Sequence, residues 1–278
     1  MISVLNSVAS MGAENALSST NASLQNNLLQ LSTGLKINSG SDDAAGLSIA
    51  NGLGANISAL TQSSQNASNG IGLLQTADGA LSQVTTLLNR AVTLATEAAN
   101  GGLTAAQSTA ADTEFQSIAS EITQIGATTN FNGQAVFSAT PQTVFTSDGT
   151  TAGTTTTSTT TGALSATTLA LNADSLTGAT PAAGIAAATL ALTHVSAAIN
   201  TIAATRGTIG ASVNQLTADS NVENTEVTNL TSAQNNVQNA DIGKTVAKMT
   251  EYNVLEQTGM SALSQSNQAQ QAVLKLLQ

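Results

Sequence analysis

The apolar positions between Leu53 and Ala95 recur at alternating spacings of four and three residues, which is the pattern of a heptad seam. This pattern predicts one helix over about residues 43–99, roughly 85 Å long at 1.5 Å per residue. A helix of that length needs a partner of similar length to cover its seam. The seam residues are Leu53, Ile57, Leu60, Ala67, Ile71, Leu74, Leu81, Leu88, Val92 and Ala95.

The same spacing returns over residues 195–237, which predicts the partner helix. A third helical segment, residues 112–125, has one apolar face and ends at the turn-prone residues 130–133. The predicted fold class is therefore mainly α. We expect a long antiparallel helical bundle, or coiled coil, formed by the paired N- and C-terminal regions.

The two ends of the chain carry weaker amphipathic stripes, over residues 17–35 and 242–277. Nothing in the chain can cover either stripe except the other end, so we expect neighbouring subunits to supply most of the order. The expected division is a terminal-helix domain, a helical rod domain and an outer insert. Their residues are 1–42 with 238–278, 43–140 with 182–237, and 141–181, respectively.

The predicted insert differs in composition from the rest of the chain. Between Pro141 and Pro181 the sequence is rich in Thr, Ser, Ala and Gly, and β-branched residues disfavour helix. Residues 144–145 and 169–171 could form strands on either side of it. The sequence thus predicts a small β-hairpin in a Ser/Thr-rich insert at the tip of the rod.

Composition excludes several classes of function. Only 8% of the residues are charged, the net charge is −10, and the six basic residues are scattered singly. A chain without a basic patch is a poor ligand for nucleic acid and is repelled by an anionic membrane surface. No stretch reaches the roughly 20 apolar residues of a membrane span, and residues 1–15 lack the basic residues and sustained apolar run of a Sec-type signal peptide. We expect neither nucleic acid nor membrane as a partner.

Candidate chemistry is equally sparse. There is no cysteine, and His194 is the single histidine, so a two-histidine zinc helix is excluded and a His-paired serine nucleophile is not expected. We expect no catalytic residue, no cofactor and no metal, and we assign His194 no role. Asp42 and Asp43 precede the long helix, where capping is a better interpretation than a cation site.

Residues 31–50, LSTGLKINSGSDDAAGLSIA, closely resemble the N-terminal signature of bacterial flagellin. ADGAL at residues 77–81 and NFNG at residues 130–133 resemble the next blocks of that family. The closing region is similar as well, over residues 235–242, 253–255, 265–268 and 273–277. The resemblance covers roughly both outer thirds of the chain.

The resemblance implies a structural subunit that polymerises into the extracellular flagellar filament used for swimming. It also implies secretion through the hollow filament by a type III export apparatus, with an export chaperone, a filament cap and hook-junction proteins as partners. A flagellar hook-filament junction protein and a coiled-coil surface adhesin stay open as alternatives. The residues expected at the filament core interface are Leu24, Leu28, Leu31, Leu35, Met249, Met260, Leu263, Leu274 and Leu277.

Two further expectations concern the outer part of the chain. Residues 88–94 resemble the segment that an innate immune receptor recognises in many flagellins, which makes Arg90, Leu94 and Glu114 candidate receptor contacts, although Val92 and Thr93 depart from the family pattern. The Asn-x-Ser/Thr sequons lie inside predicted helices and are taken as fortuitous. The candidates for O-linked sugar are Thr154, Thr155, Thr156, Thr157 and Ser158.

Overall fold

A computed structural model describes residues 8–147 and 156–276 of the chain. Within them the secondary structure is mainly helical, with two small sheets in the middle, as predicted. The elements are α1 (Val8–Thr33), α2 (Ala44–Ala99), α3 (Ala105–Thr128), β1 (Asn130–Phe131), β2 (Gln134–Ala135), β3 (Gln142–Phe145), β4 (Thr156–Thr159), α4 (Pro181–Gln238) and α5 (Ile242–Leu276).

The chain divides into two compact units. The terminal unit contains the residues up to Ala55 and those from Asn229 onward, and the central unit contains Asn56–Thr228. The terminal unit is built on an antiparallel pair of α1 and α5. The central unit contains most of α2 and α4, all of α3, and both sheets.

The core of the central unit confirms the predicted seam. Leu74, Leu81 and Leu88 of α2 are fully buried, as are Val195 and Leu216 of α4. Side chains that face each other show that the two helices run antiparallel, since Ser63 pairs with Glu223, Ser64 with Ser220 and Asp78 with Arg206. The periodicity predicted this pairing because a seam residue must be covered at every turn of a long helix.

Helix α3 is longer than the apolar pattern indicated. It begins at Ala105, where Thr104 and Gln107 form a capping box: each side chain hydrogen-bonds the backbone N–H of the other. Its buried face, which includes Phe115 and Ile122, packs into the core of the central unit. The helix stops before the β1–β2 hairpin, whose two-residue turn has positive φ at Asn132 and Gly133.

One predicted strand is wrong. β3 contains residues 144–145, as expected, but its partner is β4 and not residues 169–171. Residues 166–171 form a turn in which the backbone N–H of Leu171 donates to the carbonyl of Ala166, and Ala170 has a φ of +58°. Leu169 and Leu171 are each buried in the core. The apolar character of residues 169–171 therefore reflects this burial and not pairing as a strand.

The expectation about membrane spans also needs correction. By length and composition, α4 is apolar enough to cross a membrane. A single helix of this kind is weak evidence for a membrane span, because a helix that packs in a protein core meets the same criterion. Residues such as Val195, Ile202 and Ile209 on one face of α4 pack into the core of the central unit.

Candidate self-assembly interface

The α1·α5 pair is held together by a few specific contacts. Beside one end of the pair, in the segments that follow α1 and precede α5, Leu35 forms an antiparallel bridge with Asn239, and the backbone N–H of Lys36 donates to the carbonyl of Gln238 over 2.7 Å. At the other end the hydroxyls of Ser10 and Ser266 lie 2.9 Å apart. The antiparallel pairing of the two ends is therefore as the sequence predicted.

The segment between α1 and α2 explains part of the family-like signature. Gly34 has a φ of +73°, a conformation suited to the residue that ends a helix, and its N–H bonds the carbonyl of Gln30. Ile37 is buried. A Cβ at Gly46 would lie 2.7 Å from the Ile37 side chain, so this glycine leaves room for it. The signature thus encodes a tight, well-defined joint.

The two acidic residues of the joint have different roles. Asp43 caps α2 as predicted, since its carboxylate accepts from the backbone N–H of Gly46 over 2.9 Å. Asp42 instead accepts from the backbone N–H groups of Asn38 and Ser39 within the loop. These hydrogen bonds hold the pKa of Asp42 below its ordinary value. Both carboxylates therefore serve local backbone structure.

Burial is distributed very unevenly between the two units. In the terminal unit, Ile37 and Ala50 are the hydrophobic residues that are buried, among the side chains that the structure describes. The central unit has an extended buried core. Large apolar side chains on α1 and α5 are instead exposed, which is typical of a surface that another chain covers. They are Val8, Met11, Leu28, Leu29, Ile242, Val246, Val254, Leu255 and Met260.

The predicted core-interface residues fall into three groups. Leu28 and Met260 are 46% and 50% exposed. Leu24, Leu31, Leu35, Met249 and Leu263 are half-buried along the α1·α5 pair. The side chain of Leu274 and the whole of Leu277 lie outside the part of the chain that the structure describes. Met11, Leu29, Val254 and Leu255 are equally exposed but were missed, because they do not continue a single stripe.

The candidate receptor contacts lie in the central unit. Arg90 and Glu114 pair through two hydrogen bonds of 2.7 and 2.9 Å and are both exposed. This pairing lowers the pKa of Glu114 and raises that of Arg90. Leu94 is only 3% exposed and belongs to the core. The role in receptor contact stays a prediction. Arg90 and Glu114 are exposed and so accessible to a receptor, whereas Leu94 is buried.

The candidate O-glycosylation residues differ in accessibility. Thr156 and Ser158 are exposed on β4, whereas Thr157 is buried and its hydroxyl contacts Asp219 of α4. Thr154 and Thr155 lie outside the described residues. The modification stays a prediction, for which Thr156 and Ser158 offer free surface.

His194, to which the sequence analysis assigned no role, makes a specific contact in the structure. Its Nδ1 lies 2.7 Å from a carboxylate oxygen of the buried Asp174. The backbone of the same turn is fixed to α3, because the Gln116 side chain donates to the carbonyl of Asp174 and Asp112 accepts from the N–H of Leu176. His194 therefore helps to pin the turn before α4 to the core, a structural role.

Glu223 is a second polar residue that sequence reasoning missed. It is 6% exposed, one carboxylate oxygen accepts from the Ser63 hydroxyl over 2.5 Å, and the other has no partner among the described residues. Burial, together with the negative charges of Asp219 and Glu226, raises the pKa of Glu223 above its ordinary value of 4.5. Its charged form thus destabilises the fold.

We expect Glu223→Gln to stabilise the central unit at pH 7 by about 1 kcal/mol, the scale of one side-chain hydrogen bond. Because the folded-state pKa of Glu223 is raised, the wild type becomes protonated there, and so loses the cost of the buried charge, as the pH falls through that pKa. The difference in stability between the variant and the wild type should therefore vanish below about pH 4.5. Denaturant titrations at pH 7 and pH 4 measure the difference. Exposed Glu121→Gln is the control, and a gain independent of pH would contradict the prediction.

Comparison with known proteins agrees with this geometry. Residues 4–142 match the bacterial flagellin N-terminal helical region, and residues 192–277 match the bacterial flagellin C-terminal helical region. The chain is 35% identical to flagellin of Halalkalibacterium halodurans over 250 residues, or 89% of each chain. It is 30% identical to flagellin of Bacillus subtilis over 305 residues, covering 97% of this chain and 98% of that relative.

A solved structure is also similar. The crystal structure of Bacillus cereus flagellin matches 57% of this chain and 88% of its own, with 27% sequence identity and a TM-score of 0.48.

A helical chain whose two ends pair but leave their apolar residues exposed has the features of a structural subunit that other chains cover. The sequence matches identify the kind of subunit. The chain belongs to the bacterial flagellin family and is the filament subunit of bacterial flagella, a structural and non-enzymatic protein of the extracellular filament. The predicted family and function are thereby confirmed, in preference to a junction protein or an adhesin.

Proposed function

We propose that the α1·α5 pair is the part of this flagellin that forms the filament core, with the central unit as the rod outside it. The observation that supports the proposal is the contrast in burial between the two units. A helix pair with almost no internal apolar core gains stability when neighbouring copies cover its exposed side chains, at about 25 cal/mol per Å² of apolar surface buried. The three-part division of the chain given above belongs to the same proposal.

Net charge supports the same assignment. With a formal charge of −10, copies of the chain repel each other, and salt screens that repulsion over about 10 Å at 0.1 M. Apolar contacts must therefore supply the attraction. The exposed large apolar side chains of α1 and α5 are candidates for these contacts.

We further propose the partners that the family implies. These are a type III export apparatus, an export chaperone, the filament cap and the hook-junction proteins. The exposed apolar faces of the terminal unit support a chaperone in particular, because such faces need cover before the subunits assemble.

The test is the variant Leu28→Asp with Met260→Asp. Each change places a charge where an exposed apolar side chain should be covered by a neighbour, so we expect at least about a tenfold loss of sedimentable filament. Ultracentrifugation and electron microscopy measure the loss, and circular dichroism checks that the monomer keeps its helices.

Leu190→Asp is the matched control, since Leu190 is an equally exposed apolar residue on α4 of the central unit. It should polymerise like the wild type. Normal filaments from the double variant, or an equal loss in the control, would contradict the proposal.

A further inference from the structure

A groove of about 600 Å³ lies in the central unit, between the two hairpins and α2. We call it the hairpin groove. Gly70 and Leu73 of α2 form its floor, the β1–β2 hairpin forms one wall, and β3 forms the other. Its lining residues are Asn66, Asn69, Gly70, Leu73, Phe131, Asn132, Gln134, Gln142, Thr143, Val144, Phe145 and Thr159.

The packing of β3 on α2 fixes the shape of the groove. Gly70 lets β3 approach the helix closely, because a Cβ there would lie 2.7 Å from the Val144 side chain. The Asn66 amide donates to the carbonyl of Phe145 over 3.5 Å, and the Ser63 hydroxyl lies 3.4 Å from the same oxygen. The Ser63 hydroxyl donates its proton to Glu223. The close packing of Val144 on Gly70 and the long Asn66 hydrogen bond therefore hold this wall against the helix. A groove built on such contacts is pre-formed, as ligand sites usually are.

The hairpin groove is rich in amide side chains that have no partner. Asn69, Asn132 and Gln134 are exposed, and none of the three side chains hydrogen-bonds to a residue that the structure describes. A carboxamide offers a donor and an acceptor side by side. Two neighbouring hydroxyls of a sugar ring, each both donor and acceptor, match that arrangement.

Apolar and aromatic surface accompanies the amides. Phe145 is 41% exposed on one wall, and Phe131 is half-buried on the other. The C–H face of a sugar ring packs on an aromatic ring, whose face carries partial negative charge. The groove thus combines free amides with exposed aromatic surface, and its volume lies within the range of small-molecule sites.

Charge narrows the class of ligand. None of the described residues that line the groove is charged, although the chain as a whole carries −10. An anionic ligand would find no cation there, and a cationic one no carboxylate. We propose that the hairpin groove binds a neutral carbohydrate, through Asn69 and Gln134 as hydrogen-bonding residues and Phe145 as the packing surface.

The test uses the full-length chain kept as a monomer, with neutral mono- and oligosaccharides of glucose, galactose, mannose and N-acetylglucosamine as probes. Saturation-transfer NMR detects weak binding, and titration calorimetry measures it. We expect binding by the wild type and a loss of about tenfold or more in Asn69→Ala with Gln134→Ala, since each change removes a hydrogen bond to the ligand.

Gln75→Ala is the matched control, because Gln75 is an exposed amide on α2 that does not line the groove. Its sugar binding should equal that of the wild type. Thr143→Trp, which fills the groove, should abolish binding while circular dichroism stays unchanged.

Three outcomes would overturn the proposal. One is that none of the probes binds at millimolar concentration, and another is that binding is unaffected by the double variant. The third is that sialylated or sulfated sugars bind as well as neutral ones. If the wild type binds no sugar and the groove variants fail to polymerise, the groove is instead a contact between copies of the chain.

Discussion

Deletion of residues 270–278 should leave a soluble, exportable monomer that forms no filaments. Helix α5 continues to Leu276, past the contact between Ser266 and Ser10. We expect the apolar residues of the deleted segment to contact neighbouring subunits, as proposed for the exposed apolar residues of α1 and α5 that the structure describes. Their loss would remove contacts that recur at every subunit of a polymer. Sedimentation and electron microscopy measure the effect.

Two substituted chains separate the loss of apolar residues from the loss of length. Serine at Val273, Leu274, Leu276 and Leu277 should abolish filaments as the deletion does. Alanine at Gln270, Gln271 and Lys275 should leave polymerisation near wild type. Filaments of normal length and yield from the deleted chain would refute the assignment of α5 to the filament core.

Periodicity made the helices predictable. A long helix must bury one seam at every turn, so its heptads are readable from the sequence, and α2 runs over Ala44–Ala99 where residues 43–99 were expected. The Asn132–Gly133 turn was equally readable, since both residues adopt positive φ. Signals of this kind are local, and they do not depend on distant parts of the chain.

The strand pairing was less predictable. Residues 156–159 are a run of Thr and Ser with no alternation of apolar and polar side chains, and they become β4 only because β3 lies opposite. Residues 169–171 carry a stronger apolar signal but form a turn. Tertiary contacts decided both cases, and a single sequence does not show them.

The candidate site was predictable in part. Leu28 and Met260 emerged from the amphipathic stripes, but Val254 and Leu255 lie off the stripe and were missed, although they are equally exposed. Which apolar residue faces outward depends on how α1 and α5 are rotated about their axes, and weak stripes do not fix that rotation. Glu223 was missed for another reason: its partner Ser63 lies 160 positions away.

Phe115→Ala should lower the free energy of unfolding of the central unit by about 3–5 kcal/mol, the usual cost of removing a buried aromatic ring. Phe115 is 1% exposed and is among the largest fully buried side chains of the chain. It lies on α3 and packs in the cluster that contains Leu88 and Val195. Its loss would leave a cavity between three helices, which close packing prevents from collapsing fully.

Amide hydrogen exchange of the monomer is the suitable measurement, because it reports the opening of α2 and α3 separately from that of α1 and α5. Protection of the core amides around Leu88 and Ile122 should fall by roughly two to three orders of magnitude or more. Phe145→Ala is the control. Phe145 carries the same ring but is 41% exposed, so its removal should lower the free energy of unfolding much less. Equal losses in the two variants would mean that Phe115 does not lie in the core.

The same variant distinguishes the two units in assembly. If the central unit supplies the rod and the terminal unit supplies the polymer contacts, Phe115→Ala should still assemble at a temperature where the central unit stays folded. Its filaments should then lose their outer region to proteolysis at a lower temperature than wild-type filaments do. Loss of assembly in Phe115→Ala under folding conditions would show instead that the central unit is needed for polymerisation.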